Sequence, residues 1–149
     1  MDAETVNRLR RVVGKLSRQL NSSATSEDLT PTQASVLGLI AGQGPLSIAR
    51  LTELEGLNPT MLSRVISKLD DAGLVRRVPD PADLRTASVE VTPAGSRVHQ
   101  RIRARRTAIV SECAERLPTK HAEMLARALP ALEALADELQ RTDAKQMAG

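Results

Sequence analysis

PLSIARLTELEGLNPTMLSRVISKLDDAGLVRRVPDPADLRTASVEVTPAG, residues 45–95, holds two helices with start and stop signals, then two extended runs around a polar loop. Ser47 opens the first helix, its hydroxyl placed to accept from a free amide of the opening turn. Leu46 and Leu51 flank it at the spacing of a hydrophobic staple, Leu51 and Leu54 turn inward, and Gly56 ends the helix. The second helix starts at Asn58 as N-cap with Pro59 at the first helical position, where a missing amide costs nothing. Leu62, Val65, Ile66 and Leu69 follow at helical spacing, and Gly73 sits where a left-handed C-terminal cap belongs. Leu74 and Val75 lead into an extended run. After the loop PDPADLR, Ala87 to Thr92 place Val89 and Val91 in alternation with polar neighbours, as in a half-buried strand.

That order is a winged helix-turn-helix, and its second helix is the one offered to a partner. Its outward face is Thr60, Met61, Ser63, Arg64, Ser67, Lys68 and Asp71. Small polar residues near the start and basic ones further along suit a helix whose first turns enter a major groove about 12 Å wide. Any amphipathic surface helix shows a polar outer face. The hairpin that follows makes the difference, because a strand pair beside such a helix is a wing.

The run Gly73 to Gly95, GLVRRVPDPADLRTASVEVTPAG, resembles the wing signature of the MarR family of bacterial transcription regulators, and the likeness extends over nearly the whole chain. The resemblance implies a mainly α fold of about six helices with a small β-hairpin wing. It also implies an obligate homodimer held by intertwined N- and C-terminal helices. The family's wing carries an Asp, one intervening residue and an Arg, matched here by Asp83, Leu84 and Arg85. By that likeness Arg85 reaches the minor groove and Asp83 orients basic neighbours. The intervening position is often basic in the family; Leu84 leaves this wing tip with one positive charge instead of two.

Composition narrows the alternatives. The 149 residues carry a net charge of +3, a mild basic balance that fits phosphate neutralisation on duplex DNA. Most of the positive charge is arginine, the better residue for bidentate phosphate contacts. The chain has no Phe, Tyr or Trp, so it cannot stack single-stranded bases on aromatic rings, and modules that read single strands that way are poor candidates. The core must be aliphatic, each side chain burying less area than a ring would. Extra burial through dimerisation is therefore an advantage.

The flanking helices indicate where that burial lies. Residues 4–20 put Val6, Leu9, Val13, Leu16 and Leu20 on one stripe, an amphipathic helix without the uninterrupted apolar core of a signal peptide. Asn21 to Asp28 reads as a polar linker. Thr30, Pro31 and Gln33 form a capping box, and Ala34, Leu37 and Ile40 carry the next helix to a turn at Gly42 to Pro45. Thr92 and Pro93 start another helix, with Val98, Ile102, Ile109, Cys113 and Leu117 along one side. Met124, Leu125, Leu129, Leu132, Leu135 and Leu139 form a last stripe, which Pro130 is expected to kink or break. The expected organisation is residues 1–29 and 96–149 as dimerisation segments around a DNA-binding domain at 30–95.

Other chemistry is sparse. Cys113 is the only cysteine, which rules out an intramolecular disulfide and points to a reducing cytoplasm. Its place on an apolar stripe predicts a buried, dull thiol. His99 and His121 lie far apart without partners at metal-ligand spacing, and no nucleophile elbow, phosphate loop or catalytic carboxylate pair is present. The expectation is a protein that is no enzyme and needs no metal or cofactor.

A twofold protein implies a pseudo-palindromic operator with half-sites about one helical turn apart. Pro59, Thr60, Met61, Ser63 and Arg64 are expected at base edges or thymine methyls, and Lys68 at phosphate. Arg77 is placed either to hold phosphate or to pair with Asp83. Family likeness adds repression relieved by a small anionic or phenolic effector in a crevice beside the dimerisation helices. Arg8, Arg11 and Arg18 are candidates to meet an anion, although no aromatic wall is available for a flat ring. The competing reading is a winged-helix module that binds a protein and no DNA.

Overall fold

The computed structural model of the chain describes residues 1–80 and 82–147. In order, the elements are α1 (Ala3–Asn21), a 3-10 helix (Ser22–Glu27), α2 (Pro31–Gln43), β1 (Leu46–Ser47), α3 (Ile48–Glu55), α4 (Pro59–Asp71), β2 (Val75–Pro79), β3 (Ala87–Val91), α5 (Pro93–Glu115) and α6 (Thr119–Met147). The chain divides into two compact units, residues 1–106 and 107–149.

In the first unit the expected capping chemistry is in place. Ser47 Oγ accepts from the Arg50 amide at 3.1 Å and Asn58 Oδ1 from the Met61 amide at 2.8 Å. Thr30 and Gln33 complete a reciprocal box, with bonds of 3.0 and 3.1 Å. Each bond satisfies an amide that the helix itself leaves free. At the end of α4, Gly73 takes φ 73°; its amide reaches the Asp70 carbonyl and the Leu74 amide the Leu69 carbonyl. Leu69 and Leu74, at the positions whose side chains accompany such a Schellman pair, are both buried in the core, and the motif turns the chain directly into β2.

The sheet has three antiparallel strands in the order β1-β3-β2. Pairing of Leu46 with Val89 and Ser47 with Ser88 makes a short strand of the segment just before α3, where the sequence signals only a helix cap. Val36, Leu37 and Ile40 of α2, Leu51 of α3, Leu62, Ile66 and Leu69 of α4, Val75 of β2 and Val89 of β3 make a nearly solvent-free aliphatic core. Val98 and Ile102 of α5 close it.

Two expectations need correction. Residues 21–28 are not a plain linker: a 3-10 helix spans Ser22–Glu27 and buries Ser23 and Ala24. Ser23 Oγ accepts from Arg106 Nε at 2.9 Å, and the Glu27 carboxylate takes both Nε and Nη2 of Arg101 at 2.8 and 3.0 Å. The segment is thus a seat for α5, stabilised by contacts that local polarity does not reveal. In the second unit, α6 runs unbroken through Pro130. Proline removes one amide donor, and on an exposed helix the carbonyl it frees stays open to water.

Candidate nucleic-acid interface

The N-terminal turns of α4 form a surface free of large obstruction. Pro59, Thr60, Met61, Ser63, Arg64, Ser67 and Lys68 are all exposed, while Leu62, Ile66 and Leu69 anchor the opposite face. Spacing at i, i+4 and i+7 separates the two faces. The helix presents the positive end of its dipole where the first turn would meet a phosphate-rich groove. Neither Arg64 nor Lys68 is in an ion pair among the described residues, so both cations remain available. Asp70 and Asp71, at the far end, make that end repulsive to phosphate and confine a useful contact to the first turns.

Beside α4 stands the ribbon of β2 and β3, paired from Val75↔Val91 to Pro79↔Ala87. Alternation puts Arg76 and Arg77 on opposite sides of it. Arg76 faces Glu90 across the ladder and forms an ion pair with it, so its charge is committed within the sheet. Arg77 turns the other way and donates from Nη2 to Ser67 Oγ at 3.3 Å, tying the strand to the helix. Of the two places open to Arg77 in the sequence, the pairing with Asp83 is not found: the ion pair of Asp83 is with Arg85.

At the wing, Asp83 Oδ1 accepts from the Arg85 amide at 3.0 Å and from Arg85 Nε at 3.2 Å. Asp80 does the analogous thing two residues on, Oδ1 accepting from the Ala82 amide at 2.8 Å and Oδ2 from Ser88 Oγ at 3.2 Å. The Thr86 amide and hydroxyl both donate to the Asp83 carbonyl at 3.0 Å. Paired Asx turns therefore hold residues 82–86, and the side chain of Arg85 stands 91% exposed. Asp80 is a wing residue that the family likeness does not single out, although the repeated Asp-x-x spacing of DPADLR carries that turn signal. Pro81, the loop's second proline, lies outside the described residues.

The remaining candidates fall elsewhere. Cys113 is exposed instead of buried, because an apolar stripe read along one helix does not show whether another element covers it. His99 is half-buried against Gly38 of α2. Burial first, then the charges of Arg103 and Arg106, hold its pKa below the usual histidine value. The bidentate bond from Arg101 holds the Glu27 carboxyl below its ordinary range. No helix among the described residues is long and apolar enough to cross a membrane.

Comparison with known proteins agrees with this geometry. Residues 29–87 match the model of the MarR family. An HTH-type transcriptional regulator of Mycobacterium bovis is 34% identical, the match covering 92% of this chain and 96% of that protein. A MarR family protein from Bacillus stearothermophilus superposes with a TM-score of 0.77 at 20% identity, over 92% of this chain and 99% of that one. An S. aureus MepR mutant, bound to an oligodeoxyribonucleotide, superposes with a TM-score of 0.66 at 17% identity, over 88% and 97% of the two chains. The likeness takes in the flanking helices together with the winged module, and this chain belongs to the MarR family of helix-turn-helix transcription regulators.

Proposed function

We propose that two copies of this chain bind a pseudo-palindromic duplex site and repress transcription from it, with residues 30–95 reading DNA and residues 1–29 and 96–149 holding the dimer. The observation that carries the reading is the free cationic face of α4 beside the exposed Arg85 of the wing. On this reading Pro59, Thr60, Met61, Ser63 and Arg64 meet base edges, Ser67 positions Arg77, and Lys68 and Arg77 hold phosphate. Arg85 enters the minor groove, oriented by Asp83. The DNA-bound S. aureus relative supports it, because the two chains share the fold that presents these elements.

The dimer is supported by what each unit leaves uncovered. In the first, α1 buries none of its residues and exposes Val6, Val13 and Leu16. In the second, α6 exposes Leu125, Leu129, Leu132 and Leu139. Apolar stripes of this extent on a monomer mark an interaction surface. Relief by a small anionic ligand belongs to the same reading, and a thermal-shift screen is its direct test.

The decisive experiment is a gel shift with the duplex upstream of the chain's own gene, repeated across salt concentrations. Specific retention that weakens steeply with salt is expected. Absence of binding to that duplex and to a selected random-sequence pool overturns the reading.

A further inference from the structure

Among the described residues of 30–95, two large apolar side chains stand exposed: Met61, 49% exposed on the outer face of α4, and Leu84, 79% exposed at the wing tip. The winged module hides its other large aliphatics wholly or partly in the core, and these two lie on the two elements offered to duplex DNA. A methionine near a base edge suits a thymine methyl. The leucine has no such major-groove partner, because it sits beside Arg85 on the arm placed at the minor groove.

We propose that Leu84 is an apolar wedge which enters the minor groove with Arg85 and selects a base step that unstacks easily. This rests on the DNA-binding reading above and adds a determinant to it. Three features carry it. The tip carries no surplus of positive charge, since Arg85 is its one cation beside Asp80 and Asp83 and is paired with Asp83, so an apolar contact there adds hold that the single Arg85 charge does not supply. The turn is already ordered by Asp80, Asp83 and Thr86, which lowers the entropy lost on docking. An aliphatic side chain inserted from the minor groove partly unstacks a step and kinks the duplex. Pyrimidine–purine steps yield to this at least cost, which makes the wedge a source of sequence preference at a position without hydrogen-bonded readout.

The test uses the full chain and the duplex upstream of its own gene, with 2-aminopurine at the step that minor-groove footprinting places under the wing. Wild type is expected to raise the fluorescence of the unstacked base. L84A is expected to abolish that rise and weaken binding by about tenfold with the salt slope unchanged. L84K is expected to steepen the slope by roughly 0.9 per wing and still to give no fluorescence rise. Because the side chain is exposed, both variants should keep the wild-type melting temperature, which is measured alongside. Equal affinity and equal fluorescence for wild type and L84A overturn the wedge and leave DNA binding standing. Failure of wild type to bind the duplex overturns the underlying reading instead.

Discussion

Gly95, in the first turn of α5, passes so close to Leu74 that a Cβ built on it would lie 1.9 Å from the Leu74 carbonyl oxygen and 2.8 Å from the carbonyl carbon. The same carbonyl accepts from the Thr92 amide at 3.1 Å, and Thr92 Oγ1 bridges the Gly73 carbonyl at 2.6 Å and the Gly95 amide at 3.0 Å. The end of α4, the start of β2 and the start of α5 are therefore locked within one knot of backbone. A side chain at 95 must push backbone aside.

Gly95→Ala is expected to destabilise the fold by about 1–3 kcal/mol, the range for overpacking a well-packed site. Gly42→Ala is the matched control: nothing lies within 4 Å of its added Cβ, and a helical alanine gains up to about 1 kcal/mol over glycine. Opposite shifts in melting temperature check the pair; a neutral Gly95→Ala refutes the knot.

Arg64 and Lys68 separate by the kind of binding they lose. Lys68→Ala is expected to weaken all duplexes alike and reduce the salt slope by about 0.9 per contact. Arg64→Ala is expected to cost about 1–3 kcal/mol on the preferred site and little on random duplex. Titrations on both duplexes at several salt concentrations distinguish them.

Asp83 offers a test in which electrostatics and geometry disagree. Removal of an acid near phosphate favours binding by charge alone, whereas the structure gives Asp83 the work of holding the Arg85 backbone and guanidinium. Asp83→Ala is expected to lower affinity, and tighter binding by this variant would refute the positioning role.

The dimer has its own check. Leu129→Glu with Leu132→Glu puts charges on the exposed stripe of α6 and is expected to give a folded monomer in sedimentation, with loss of two-site DNA occupancy. An unchanged dimer would place the interface elsewhere.

Acid should loosen the packing of α5 on α2. The pKa of His99 is depressed by burial, by Arg103 and by Arg106, so the folded state binds fewer protons than the unfolded one. Its contribution is present above the unfolded histidine value of about 6.5 and is lost as pH falls through the lower folded value. Thermal melts from neutral pH downward are expected to show this slope, and His99→Gln to flatten it.

Local signals in the sequence determined the winged module. Caps at Thr30, Ser47 and Asn58, the stop at Gly73 and the spacing of Leu62, Ile66 and Leu69 act within a few residues, through bonds that a helix end requires wherever it lies. The exposed face of α4 followed from the same spacing, and the wing was legible in its alternation. Tertiary structure alone decided the rest. Pairing of β1 with β3, the bonds from Arg101 to Glu27 and from Arg106 to Ser23 across 74 and 83 residues, and the partner of Arg77 all join segments remote in the chain. Such contacts exist only after the aliphatic core has brought those segments together, because no local pattern encodes which distant surface a side chain will meet.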